Sequence, residues 1–254
     1  MPSNNLSSIF DIIETIRQVN AGSILDIGVG FGKWGLLIRE YFDLRPHRKK
    51  GYDEWSIQLD GIEANEKYLT PVHDYIYDHI FIGEAIDILT NNNLYYDLII
   101  AIDILEHFKK REALEFIKLC KNRCRTLFIN TPNIYYKLQR EYFNEYMLHM
   151  SGWDAEDFIE LKARYIWHSG LYVLALFTED NLNLPLQSNI QKYIFNNPDL
   201  IKIKDLIAMY LETSQIDECL DACKKYIKVF PHDKDLQKKK TLCQEKLNRF
   251  RITG

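Results

Sequence analysis

Apolar residues along the chain recur with two periods. Leu6, Ile9, Phe10, Ile13, Ile16 and Val19 fall at helical spacing, which predicts an amphipathic helix over residues 5–19. Residues 24–27 form a short apolar run broken only by Asp26 and read as a buried strand. Alternating glycines follow, and a helix is predicted from Trp34 to about Phe42. The same reading puts strands at 57–62, 80–83 and 126–130, another in the apolar core of 96–108, and a final pair at 163–169 and 171–177 turning at Gly170. Helices are predicted at 66–77, at 109–121 and from about Ala155, the last capped by Ser151 or Asp154. Residues 43–56 carry a basic cluster from Arg45 to Lys50 and read as a solvated loop. After Thr178 the character changes. A linker containing Pro185 spans 181–187, and helices are then expected at 190–195, 199–213, 216–230 and 233–250.

Alternation of strands and helices predicts an α/β domain over residues 1–180, with residues 185–254 as a small α-helical extension. Leu206, Tyr210, Cys219, Cys223 and Pro231 lie near the positions of one tetratricopeptide unit, so the extension reads as a helical appendage rather than a free solenoid. It offers a surface for a homodimer or a protein partner.

The length of 254 residues with 46% hydrophobic content accommodates one full α/β domain and such an appendage. A net charge of −4 argues against a nucleic-acid partner. The start of the chain lacks a signal-peptide pattern, and no apolar run has membrane-spanning length. Five cysteines without a C-x-x-C pair indicate reduced thiols and a cytoplasmic location. Cys120/Cys124 and Cys219/Cys223 sit at i and i+4, the spacing of helix packing, and no metal site is read from the sequence.

A strand, a glycine turn and a helix make the first unit of a nucleotide-binding α/β fold. Gly30, Gly32 and Gly35 satisfy the dinucleotide pattern G-x-G-x-x-G. A P-loop is excluded, because it requires a glycine at Ile27 and Ser or Thr at Trp34. A third frame is Asp26-x-Gly28-x-Gly30-x-Gly32. The second strand ends at Glu63, where this fold places an acid on a ribose hydroxyl pair; Asp60 competes but lies inside the strand.

The D-x-G-x-G-x-G frame resembles the first motif of class I S-adenosylmethionine (SAM)-dependent methyltransferases. Tyr96 to Phe108, with Asp97 and the run Asp103-Ile104-Leu105-Glu106-His107, resembles the fourth-strand motif of the same family. His149-x-Ser151-x-Trp153 followed by Asp157-Phe158 is similar to an element of its small-molecule members, and Thr131-Pro132 closes the fifth strand as in many relatives. Over residues 20–178 the resemblance implies a Rossmann-like, seven-stranded, mostly parallel sheet with helices on both faces, completed by the terminal hairpin.

It further implies SAM as cofactor and S-adenosylhomocysteine (SAH) as product. Asp26, Gly28, Gly30, Phe31, Gly32, Lys33 and Trp34 would line the methionine end, and Glu63 with Ala64 the ribose. Glu84, Ala85 and Ile86 would flank adenine; Asp103 and Ile104 would sit at the sheet edge. Tyr135, Tyr136, Tyr146, His149 and Trp153 are the expected acceptor-side residues, with His149 and then His107 as candidate bases. The expected acceptor is a small molecule carrying an O or N nucleophile, of sugar or natural-product type. Asn130-Thr131-Pro132-Asn133 is not an N-P-P-Y motif, which again disfavours nucleic acid. The other readings are a protein substrate recruited through the helical tail, a non-catalytic SAM-binding subunit, and an NAD-dependent oxidoreductase.

Overall fold

A computed structural model describes residues 8–44, 55–133, 146, 148–184 and 200–253. Seven strands form one sheet: β1 (Ser23–Ile27), β2 (Gln58–Glu63), β3 (His79–Ile82), β4 (Tyr96–Ile102), β5 (Cys124–Pro132), β6 (Tyr165–Ser169) and β7 (Tyr172–Phe177). Their spatial order is β3-β2-β1-β4-β5-β7-β6, and only the pairings of β7 are antiparallel. The helices are α1 (Ile9–Val19), α2 (Lys33–Ile38), α3 (Pro71–Ile76), α4 (Ala85–Asn91), α5 (Lys110–Lys121), α6 (Ala155–Glu160), α7 (Leu200–Glu212), α8 (Ile216–Ile227) and α9 (Lys234–Thr253).

Both faces of the sheet are covered, which explains why β4 is apolar without alternation. Leu98 and Ile100 face one buried cluster with Ile12 and Ile16 of α1, Ile38 of α2 and Ile76 of α3. Ile99 and Ala101 face another, with Leu89 of α4, Phe116 of α5 and Phe158 of α6. Helices α7, α8 and α9 share a third core of their own, including Ile203, Leu206, Tyr210, Leu220 and Leu236.

β1 lies between β2 and β4, and the chain reverses its direction of travel across the sheet there. Open α/β sheets form their ligand crevice at such a reversal, beyond the carboxyl ends of the strands. The two motif-bearing loops, after β1 and after β4, therefore flank one crevice.

Two predicted helices are altered. The helix expected over 66–77 is a short 3₁₀ turn, Glu66–Tyr68, followed by α3. Pro71 starts α3, and its ring pushes Thr70 into an extended conformation (φ −138°, ψ 165°), which ends the preceding turn. The helix after the glycines widens at Arg39–Leu44 into a π-helical turn. There the buried Arg39 donates to the carbonyls of Ile76 and Ile57 and to the carboxylates of Asp43 and Asp78. The basic cluster at 45–50 and the helix expected at 190–195 lie outside the described residues, as do residues 185–187 of the linker.

Candidate functional site

The loop after β1 needs its glycines for separate reasons. Gly28, Gly30 and Gly32 have φ of 79°, 56° and 79°, in the left-handed region that side chains disfavour. At Gly28 space is also short: a Cβ would lie 2.0 Å from Ile104 Cδ1, so the two motif-bearing loops touch there. The amides of Gly28 and Val29 both donate to the Ile62 carbonyl, at 2.8 and 3.2 Å. Glu63 completes the tie. Its Oε2 accepts from the Gly30 amide at 2.8 Å and its Oε1 from the Asn65 amide at 2.8 Å. Each oxygen retains a lone pair for a further donor. Asp60, the competing acid, is used inside the fold, accepting from Tyr96 Oη and Gln58 Nε2.

Helix α3 supports the loop from below, a role sequence reasoning missed. His73 Nδ1 accepts from the Thr70 amide at 2.9 Å, so its proton is on Nε2, which donates to the Gly30 carbonyl at 3.1 Å. Tyr77 Oη donates to Asp26 Oδ2 at 2.6 Å and accepts from the Gly35 amide at 3.2 Å. The i, i+4 spacing of His73 and Tyr77 is the only sequence signal for this pair.

Asp26 is 1% exposed, and its Oδ1 is buried with no hydrogen-bond partner among the described residues. Burial pushes its carboxyl up to about 7, against the Tyr77 hydrogen bond, with a further push from Glu63. Asp103, just beyond β4, has the same character. Its Oδ1 is buried without a partner, and it holds a left-handed φ of 55°. Burial raises its carboxyl well above the usual range; the Glu106 charge adds to this and Lys33 opposes it. Two orphaned carboxylate oxygens at one crevice are what a polar or cationic ligand satisfies on binding. The residues present thus fit the ammonium-bearing cofactor that the resemblance implies.

Around this point Phe31 is 54% exposed, edge-to-face with Tyr68, while Glu84 is exposed at the start of α4 beside the buried Ala85. Ala64 and Ile86 are partly buried. Trp34 departs from expectation. It is 5% exposed within the core under α1, because the first turn of α2 directs Trp34, Gly35 and Ile38 inward. Its ring is a core group rather than a pocket wall.

His107 and His149, two of the residues expected on the acceptor side, meet Glu106 at the turn after β4. Glu106 is buried; its Oε2 accepts from Thr131 Oγ1 at 2.8 Å, and its Oε1 lies 4.0 Å from His149 Nε2. Burial raises its carboxyl to about 7, partly opposed by hydrogen bonds that include the one from Thr131. The Glu106 carbonyl accepts from the amides of Met150 and Ser151, at 2.7 and 3.1 Å, and so holds the segment bearing His149. The rings of His107 and His149 meet edge-to-face, 5.1 Å apart. Burial lowers the His107 pKa, with the carbonyls of Leu148 and Asp103 working against it.

Trp153 is also displaced from its expected role. At 1% exposure it is part of the core; its Nε1 donates to Ser151 Oγ at 2.8 Å, and the Lys110 ammonium sits 3.4 Å above its ring. It anchors the His149 segment instead of lining a pocket. Asp154, one of the two expected caps, accepts from the amides of Glu156 and Asp157 at the start of α6. Tyr146 is partly exposed, and Tyr135 and Tyr136 lie outside the described residues.

The helical extension reaches this same segment. Gln215 Nε2 donates to the Met150 carbonyl at 2.9 Å, and Gln215 Oε1 accepts from the Lys110 amide at 3.0 Å. Lys225 pairs with Asp154 at 2.6 Å and with Glu156 at 2.9 Å, and Tyr226 Oη donates to Asp154. No pattern in the sequence indicates these contacts.

No protein-family model and no curated protein matches the sequence. Among solved structures, TehB from Haemophilus influenzae is similar with a TM-score of 0.51 and 11% identity, over 70% of this chain and 64% of that one. The chain shares with it a Rossmann-like fold, a seven-stranded, mostly parallel sheet flanked by helices. A SAM-dependent methyltransferase from Archaeoglobus fulgidus is similar at TM-score 0.47 and 15% identity, over 65% of this chain and 91% of that one. PigF with SAH is similar at TM-score 0.47 and 13% identity, over 68% and 56%. In this Rossmann-like fold Asp26, Glu63 and Asp103 lie at or beside the carboxyl ends of β1, β2 and β4. Among the described residues no helix is long and apolar enough to cross a membrane.

Proposed function

We propose that this chain is a SAM-dependent methyltransferase acting on an O or N nucleophile of a small molecule. The observation that carries the reading is the unpartnered, fully buried Asp26 Oδ1 beside a glycine loop already tied to Glu63. An ammonium group satisfies such an oxygen, and the remaining lone pairs of Glu63 suit vicinal hydroxyls. Glu84, Ala85 and Ile86 would flank the base, and Phe31 would border the mouth. SAM, once bound, supplies a methyl carbon that is already electrophilic. The protein's task is then to hold an acceptor in line with it and to exclude water.

Glu106, His107 and His149 stand on the acceptor side. Glu106, whose carboxyl is raised to about 7, suits proton transfer near neutral pH, and the His149 imidazole stands beside it. The free thiols of all five cysteines accord with residence in a reducing cytoplasm. The extension spends contacts on the His149 segment, which favours an internal role for it over recruitment of a protein substrate.

Titration calorimetry with SAM, SAH, NAD and ATP tests the cofactor. Micromolar binding of SAM and SAH alone is expected; binding of NAD alone would overturn the reading and its site assignments. Asp26→Ala and Glu63→Ala should each weaken SAM binding by about 1–3 kcal/mol, the range for buried polar groups that lose partners. His149→Ala should leave SAM affinity intact while lowering turnover of any acceptor found by screening. If it abolishes SAM binding instead, His149 belongs to the cofactor side.

A further inference from the structure

The turn after β4 and the segment pinned beneath it bring Glu106, His107 and His149 together. Each offers one ligand atom, and all three atoms lie within 4.8 Å of one another. We propose that Glu106, His107 and His149 bind a divalent transition-metal cation, with the carboxylate of Asp103 beside it. Ligand atoms held at about 2.1 Å from one ion are at most roughly 4.2 Å apart, so small side-chain rotations close this group around a cation.

Several independent features point the same way. His107 Nδ1 lies 3.2 Å from the Leu148 carbonyl, a group that only accepts, so Nδ1 carries the proton and Nε2 keeps its lone pair for a metal. A carbonyl behind the second imidazole nitrogen is the usual support of a ligating histidine. Glu106 has equivalent support from Thr131, which holds one oxygen and leaves Oε1 toward His149. Among the described residues no Lys or Arg pairs with Glu106, although it is buried and its charge is felt by Asp103. Beside the buried Glu106 lies Asp103 with a buried Oδ1 that has no partner among the described residues, and a divalent cation would offset the cost of ionising both carboxyls. Two imidazole nitrogens with carboxylate oxygens suit Mn²⁺, Fe²⁺, Co²⁺ or Zn²⁺ better than Mg²⁺ or Ca²⁺, which favour all-oxygen shells. This site stands independently of the methyl-transfer reading. Were it filled, His149 would be a ligand, and the acceptor proton would leave by another route.

The test needs no acceptor. The full chain, stripped with a chelator under reducing conditions, is titrated with Co²⁺ and Mn²⁺, followed by calorimetry, cobalt absorption and manganese electron spin resonance. A single equivalent should bind, without the sulfur-to-cobalt charge-transfer bands that cysteine ligands produce. His149→Ala and Glu106→Gln should each weaken binding by more than about tenfold, and Thr131→Val by roughly 10–100-fold, the cost of an outer support. Circular dichroism and thermal melting establish that each variant is folded. Cys243→Ser serves as the control, since Cys243 and Cys219 Sγ lie 3.0 Å apart in the extension and form a separate thiol cluster. The proposal is overturned if no saturable binding occurs, or if binding survives His149→Ala and disappears in Cys243→Ser.

Discussion

Asp26 and Glu106 share an uncommon condition: both carboxyls are pushed up to about 7, chiefly by burial. The folded chain therefore retains protons that the unfolded chain has already released. Stability must fall as pH rises from about 4 to about 7, and above 7 the loss is complete. The melting temperature of the ligand-free protein is expected to drop between pH 5 and pH 8. Asp26→Asn should remove part of that drop and leave the share due to Glu106. The opposite slope is expected for SAM, whose ammonium needs Asp26 ionised, so its affinity should increase across the same range. A SAM affinity independent of pH in calorimetry between pH 6 and pH 8 would count against Asp26 as its partner. The places of Asp26 and Glu63 beside the glycine loop were legible in the sequence, because they follow from position near a strand end. Their supports were not. His73 and Tyr77 act through hydrogen bonds to Gly30 and Asp26 that cross from α3 to the loop after β1, and only folded geometry reveals such pairs.

Elements were legible where one period dominated. β4 announced itself by an unbroken apolar run, and α1 by apolar residues at helical spacing, although the face it buries runs through Ile12, Ile16 and Val19 and leaves Phe10 of the expected stripe exposed. Where local rules competed, the reading failed. Pro71 looked like an early residue of one long helix, yet the constraint it places on Thr70 divides that helix in two. Trp34 and Trp153 were read as pocket aromatics by analogy, whereas their burial makes them supports. The segment from Met150 to Glu156 gives an element-scale test. Gln215 and Lys225 fasten it from α8 and the turn before it, through the Met150 carbonyl and Asp154. Gln215→Ala should lower kcat while leaving KM for SAM and the melting temperature nearly unchanged, and Gln215→Glu, which keeps only the acceptor side, should not restore it. A uniform loss of stability with kcat preserved would show that the contact is merely structural.

At the scale of the whole molecule, the helices of the extension, which have a core of their own, touch the sheet domain at the back of the His149 segment through Gln215, Lys225 and Tyr226. The architecture of sheet and flanking helices was readable because strand and helix periods alternate along the chain. The docking of the extension was not, since Lys110 and Gln215 stand far apart in sequence and neither belongs to a motif. The order of assembly follows from this docking. Chains fold in the order they emerge from the ribosome, N-terminal parts first. The glycine loop, Asp26 and Glu63 are complete once the early strands and α3 have folded, whereas the brace on Met150 and Asp154 is supplied by Gln215, Lys225 and Tyr226, which are translated later. A nascent chain would thus complete the glycine loop before the segment bearing His149 can be braced from behind.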